Sequence, residues 1–223
     1  TESWNYHSDF PLGNVVNDNN VLHINNNSRK LGDTLGHINK RLYNTRPLER
    51  DERAGGLILS ELGSRNIKVS QGILWDRTSE FLIAEINTLS GGTFDAYYRD
   101  SGSGFILSGN QTQWDNIHYD DGTGILATLT TSKWANLWFY VEIDGNLVML
   151  YGRDSYNTLA AALVGTPPST VPTRITHGGR LIGRLTFQKS ASSAGEIGSV
   201  FTTVFNLIGI TNHANLSNLD YSS

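Results

Sequence analysis

The chain has no cysteine, which removes disulfides, thiol nucleophiles and thiolate metal sites together. Stability must then come from packing or from other subunits, and a secreted disulfide scaffold is excluded. It also lacks an excess of positive charge. With 17 basic against 21 acidic residues and a formal net charge of −4, no global field draws a nucleic-acid backbone, so no nucleic-acid partner is expected. No apolar run approaches the ~20 residues that cross a bilayer as a helix, so membrane insertion is not expected either. Thr1 is neither an initiator Met nor the start of a signal sequence, and the expectation is a soluble protein whose sequence can be a fragment of a longer one.

What is present is Gly at 23 positions, abundant Asn, Ser and Thr, and five Trp and nine Tyr against a single Met. This is the composition of a turn-rich β protein with aromatic-bearing surfaces. At 223 residues the chain accommodates one good-sized domain with extensions.

Three stretches differ in pattern. Residues 1–28 carry no Lys or Arg and are crowded with Asn, including Asn14, Asn17, Asn19, Asn20, Asn25, Asn26 and Asn27. Such a segment favours turns and has no core of its own, and only Val15–Val16 and Val21–Ile24 read as short strands. It is read as an arm laid on a neighbouring surface. From Leu31, apolar residues fall at Leu31, Leu35, Ile38 and Leu42, on one seam of a helix for about two heptads. Gly32 and Gly36 oppose that helix by roughly 1 kcal/mol each, so a coiled-coil seam, a surface helix and an irregular strap all stay open. Seven of the basic residues lie between Arg29 and Arg53, interleaved with Asp33, Glu49, Asp51 and Glu52, a mixed-charge stretch rather than a basic tail.

After Gly55-Gly56 the period changes to that of strands, with short runs from Leu57 to Tyr151 separated by Gly, Ser, Asn or Asp. Asp144-Gly145 lies between two β-rich runs, 138–143 and 147–151, and signals a tight hairpin turn; Asp121-Gly122 and Ser90-Gly91-Gly92 are assigned the same role. One short helix is expected over Thr158–Val164, capped by Asn157 and stopped by Gly165 and Pro167-Pro168. Arg180–Phe187 restores a strand with Leu181, Gly183, Leu185 and Phe187 on one face. The expected fold class is all-β: an antiparallel β-sandwich with an extended N-terminal arm and one short helix. The expected organisation is an arm and strap over 1–55, the β-sandwich over 56–190, and a Gly/Ser-rich linker, last strand and connector over 191–223.

The chain closes on His213-Ala-Asn-Leu216-Ser-Asn-Leu219 within a polar run that cannot bury itself. This run resembles the His-x-x-Leu-Ser-x-Leu linker of tailed-bacteriophage tail fibres and other tail proteins, where it joins one module to the next. The order Arg41-Leu-Tyr-Asn-Thr45, Glu49–Gly56, the Trp-rich hairpin region, the Pro-Pro loop and Arg180-Leu-Ile-Gly183-Arg also resembles a β-rich module of phage virion proteins. The resemblance implies a structural component of the virion tail, assembled as a homo-oligomer, a trimer, that contacts other tail proteins and connects fibre modules. Leu31, Leu35, Ile38, Leu42, Leu216 and Leu219 are the expected oligomer contacts, since in a monomer they would face water.

No residue pattern adds a catalytic signature. Glu142 and Asp144, at i and i+2, project from one face of a strand as paired carboxylates do in some β-sandwich glycoside hydrolases, but no further acid follows and Asp144-Gly145 is better read as a turn. Asp120-Asp121-Gly122-Thr-Gly124 lacks the spacing of a calcium loop. The six histidines, His7, His23, His37, His118, His177 and His213, have no metal-building spacing. The glycines at 102, 104 and 109 do not follow dinucleotide-binding order. No enzyme activity, catalytic residue, metal or cofactor is therefore expected. The aromatics remain: Trp114 and Tyr119, before a polar Asp-Gly turn, are the candidate sugar-stacking residues of an alternative function, recognition of a host-surface glycan. A glycan depolymerase acting through Glu142 and Asp144 is the less favoured third reading.

Overall fold

The computed structural model describes residues 14–18, 21–25, 34–45, 56–76 and 79–200. In chain order its elements are β1 (Asn14–Asp18), β2 (Val21–Asn25), α1 (Thr34–Thr45), β3 (Leu59–Leu62), β4 (Asn66–Val69), β5 (Gly72–Asp76), β6 (Ser79–Ile83) and β7 (Ile86–Asn87). A 3₁₀ turn at Thr88–Ser90 leads to β8 (Phe94–Arg99), β9 (Phe105–Gln111), β10 (His118–Tyr119) and β11 (Ala127–Thr128). The remainder is β12 (Trp134–Glu142), β13 (Leu147–Tyr151), α2 (Leu159–Leu163), α3 (Thr173–Gly178), β14 (Gly179–Gln188) and β15 (Glu196–Ser199). The fold is all-β, as the short strands and turn signals required.

The aromatic-rich run at 134–142 forms β12, and every residue of it after Trp134 is buried. Because side chains alternate along a strand, burial along the whole run means that both faces are covered. Ala135, Leu137, Phe139 and Val141 enter one core with Leu59, Ile67, Leu74, Ile83, Phe94 and Trp114. Trp138 and Tyr140 enter a second, smaller core with Tyr97, Val148, Leu150 and Ile175. β12 lies inside a six-stranded sheet of order β15-β14-β12-β13-β8-β9. The three-stranded sheet β3-β4-β7 and the hairpin β5-β6 supply the first core, while α3 contributes Ile175 to the second.

Among the described residues the strand pairings are antiparallel except one: β13 and β8 run parallel, with Leu150 opposite Tyr97. Two antiparallel groups, β8-β9 and β12 to β15, meet at this pair, and the long connection through β9 to β12 permits the crossover that parallel neighbours need. In β14 the expected alternation breaks. Phe139 pairs with Gly183 but Tyr140 with Leu181, so Ile182 is an extra residue in a bulge. Leu185 and Phe187 stay in the first core, joined by Ile182, and Leu181 turns to the second.

Several boundaries differ from expectation. Val15–Val16 and Val21–Ile24 do form strands, but they pair with each other, and β1 lies against α3. Between Trp114 and Tyr119 only β10 is a strand, because Asp115 Oδ1 accepts from Ile117 N and His118 N in a local turn. Ser90-Gly91-Gly92 makes no hairpin; Gly91, at φ +91°, ends the 3₁₀ turn. The cap of α2 is Thr158, whose hydroxyl accepts from Ala161 N at 3.1 Å, and Asn157 instead accepts from Lys133. α3 was not expected; it follows Pro172, whose fixed φ of −54° suits a helix start. The boundary at residue 190 falls inside a hairpin, since β15 pairs with β14 from Gly183↔Ser199 to Thr186↔Glu196.

The hairpin at Asp144-Gly145 is as expected. Glu142 N donates to Asn146 O at 2.9 Å and Gly145 N to Glu142 O at 3.0 Å, and Asp144 Oδ1 accepts from Asn146 N at 3.2 Å. Gly145 has φ +90°, and a Cβ there would meet no atom within 4 Å, so substitution strains the backbone and not the packing. Gly145→Val should lower stability by about 1–2 kcal/mol and Gly145→Asn by clearly less, as read from urea unfolding; equal stability of Gly145→Val and the parent would remove the turn assignment.

Candidate functional site

The two candidate sugar-stacking residues are not presented to solvent as a pair. Trp114 is 0% exposed; its ring packs on Phe187 at 5.3 Å between centroids and its Nε1 donates to Glu61 Oε1 at 2.9 Å. Arg65 holds the same segment by donating to Trp114 O at 3.0 Å. A ring closed off in this way cannot stack on a sugar. Tyr119 is half-buried and packs against the same core. The polar Asp-Gly turn after these residues was a poor guide to exposure, because its carboxylates serve the fold. Asp120 accepts from Arg99 N and Nε at 3.1 and 3.0 Å and from Gly122 N at 2.8 Å. Asp121 accepts from the hydroxyl and the backbone N of Thr123, which hold its carboxyl below the usual range.

Glu142 and Asp144 likewise separate by role. Asp144 is an exposed turn residue bonded to Asn146. Glu142 is 2% exposed and gives both oxygens to Arg174 of α3: Nε donates to Oε1 at 2.8 Å and Nη2 to Oε2 at 2.6 Å. Arg174, itself 2% exposed, also donates through Nη1 to Asp95 Oδ2 at 2.7 Å and to the Tyr97 hydroxyl at 3.1 Å. Burial opposes its charge, but the bonds from Glu142, Tyr97 and Asp95 prevail and hold its pKa above the ordinary value. The arrangement is a four-residue lock between α3 and two strands, and nothing in the sequence pointed to Arg174 as Glu142's partner across 32 residues.

Among the described residues, His118 is the histidine with a carboxylate partner. Its Nδ1 lies 2.7 Å from Asp115 Oδ2, and the Tyr151 hydroxyl donates to the same oxygen at 3.0 Å. Burial and Asp115 together push the Tyr151 phenol well up. Among the described residues no group of three or more His, Cys, Asp or Glu is placed to hold a metal ion; His7 and His213 lie outside them.

Of the expected oligomer contacts, Leu35 and Ile38 stand on α1 at 69% and 39% exposed. Leu42 lies on the same helix, and Lys40 pairs with Glu80 of β6. Leu31, Leu216 and Leu219 lie outside the described residues.

A cleft of about 570 Å³ opens between the start of β8 and the β12–β13 turn, lined by Glu85, Asn87, Ser90, Thr93 and Asn146 with Gly91, Gly92 and Gly145. The sequence marked Ser90, Gly91, Gly92 and Gly145 as turn residues only, and nothing along it showed that these two turns, far apart in the chain, meet at one cleft.

Two outcomes follow. Arg174→Met leaves Glu142 buried and unpaired and should cost about 3–5 kcal/mol in urea unfolding, with much of the loss recovered in Glu142→Leu/Arg174→Met; Asp144→Asn should change stability by under about 0.5 kcal/mol. Losses that simply add would remove the lock. At high pH, burial pushes the Tyr140 phenol up to about 12, with Arg153 opposing, whereas in the unfolded chain it ionises near pH 10. The stability this supplies is complete below about pH 10 and is lost as pH rises towards about 12. Unfolding midpoints measured over that range should fall, and less steeply in Tyr140→Phe.

Set against protein-family models, curated proteins and solved structures, the chain has no match.

Proposed function

We propose that the chain is a non-enzymatic structural module of a bacteriophage tail, a virion component that assembles as a homotrimer, contacts other tail proteins and connects fibre modules. The observation that carries this reading is α1. A helix of 12 residues is marginal in water unless its apolar side is packed, yet Leu35 and Ile38 stay exposed. Copies of α1 around an axis would cover that side, each Leu contributing roughly 1.5–3 kcal/mol when buried. The C-terminal run with Leu216 and Leu219, similar to phage module linkers, supplies the second contact region. Glu142 spends both carboxylate oxygens on Arg174, which speaks for a structural role over a depolymerase.

A second reading, recognition of a host-surface glycan, is favoured by the polar cleft beside the β12–β13 turn, which takes over the place first given to Trp114 and Tyr119.

Sedimentation tests the leading reading. The full chain should run as a trimer, and a chain without residues 1–45 and 210–223 should remain folded as a monomer or a much weaker oligomer. A monomeric full chain would remove the physical support for a fibre module, and a tight truncated trimer would move assembly to the β body.

A further inference from the structure

We infer that the cleft between the 3₁₀ turn Thr88–Ser90 and the β12–β13 hairpin is a carbohydrate site for a neutral pyranose unit; this rests on the second reading above and gives it a location. At about 570 Å³ the cleft is within the range of small-ligand sites, and a pyranose ring with its substituents fits that space. Its lining is a mixed set of donors and acceptors. Among the described residues, Glu85 uses one carboxylate oxygen on Lys68, Asn87 its Oδ1 on Leu89 N, and Asn146 its Nδ2 on Asp144. The Asn87 Nδ2, the Asn146 Oδ1, the second Glu85 oxygen and the hydroxyls of Ser90 and Thr93 have no protein partner among the described residues. Amide, carboxylate and hydroxyl groups of this kind exchange donors and acceptors with vicinal sugar hydroxyls.

The backbone makes the space. Gly91 at φ +91° and Gly145 at φ +90° both line the cleft, and a Cβ on either would meet no atom within 4 Å. Ile86 and Leu147 supply apolar lining for the C–H face of a ring. The single carboxylate and the absence of any Lys or Arg from the lining favour a neutral sugar over an acidic one. No aromatic ring lines the cleft, so affinity per unit is weak, with Kd in the ~mM range, and useful binding needs several copies acting together.

The test is ¹H–¹⁵N chemical-shift mapping of the full chain with the methyl pyranosides of glucose, galactose and N-acetylglucosamine, beside an array of bacterial surface oligosaccharides. Saturable shifts are expected at Asn87, Ser90, Gly91, Thr93 and Asn146 with at least one of these sugars. Thr93→Trp, an exposed position whose larger ring would fill the cleft, should abolish them, and Glu85→Ala should weaken binding about tenfold or more, with unchanged melting in both. Glycan binding that survives Thr93→Trp overturns the cleft as the site while leaving the glycan reading standing. No binding to any pyranoside or array glycan overturns both.

Discussion

Strand β12 is buried on both sides, and the rest of the structure depends on how each side is satisfied. Its odd-numbered residues from Ala135 to Val141 are purely apolar and need only apolar cover, which β3 to β6 and Trp114 provide. Its even-numbered residues, Asn136, Trp138, Tyr140 and Glu142, carry polar ends, and burying them demands partners. Asn136 accepts from the Thr186 hydroxyl at 2.7 Å and donates to Ala162 O at 2.8 Å. The Arg184 guanidinium lies 5.8 Å from the Trp138 ring centroid and donates to Leu163 O at 2.6 Å. Glu142 takes Arg174. The two short helices, too brief to be stable alone, are thereby fixed by bonds to strands rather than by their own propensity.

That division separates the frame from the surfaces it presents. The polar locks hold the sheet and its helices in one arrangement, so the loops at its ends are held by fixed strands. The cleft beside the β12–β13 turn is made of such loops, with its groups drawn from residues 85–93 and 145–147. α1 is of a different kind: Leu35 and Ile38 are exposed in the single chain, and its pairing with the body, Lys40 to Glu80, is at the surface and worth little.

The legible features were those set by local physics. Strand periodicity from residue 57, the Asp144-Gly145 turn, α2 within a residue of its bounds and the early strands Val15–Val16 and Val21–Ile24 all follow from side-chain period, left-handed backbone preference and capping groups, which act over a few residues. The seam through Leu35 and Ile38 was also visible, because a helix brings residues three and four apart onto one side.

What the sequence determined by itself was therefore the all-β class, the Asp144-Gly145 turn and the bounds of α2. Only the tertiary structure decided which ring is exposed and which polar group has a partner. Trp114 was a plausible surface ring until Phe187 and Glu61, both more than fifty residues away in sequence, closed over it. Glu142 was a plausible acid until Arg174 met it from α3. The parallel β8–β13 pair and the Ile182 bulge are pairings between strands far apart in the chain. Such outcomes depend on contacts between distant segments, and no pattern along one segment records what another will bring against it.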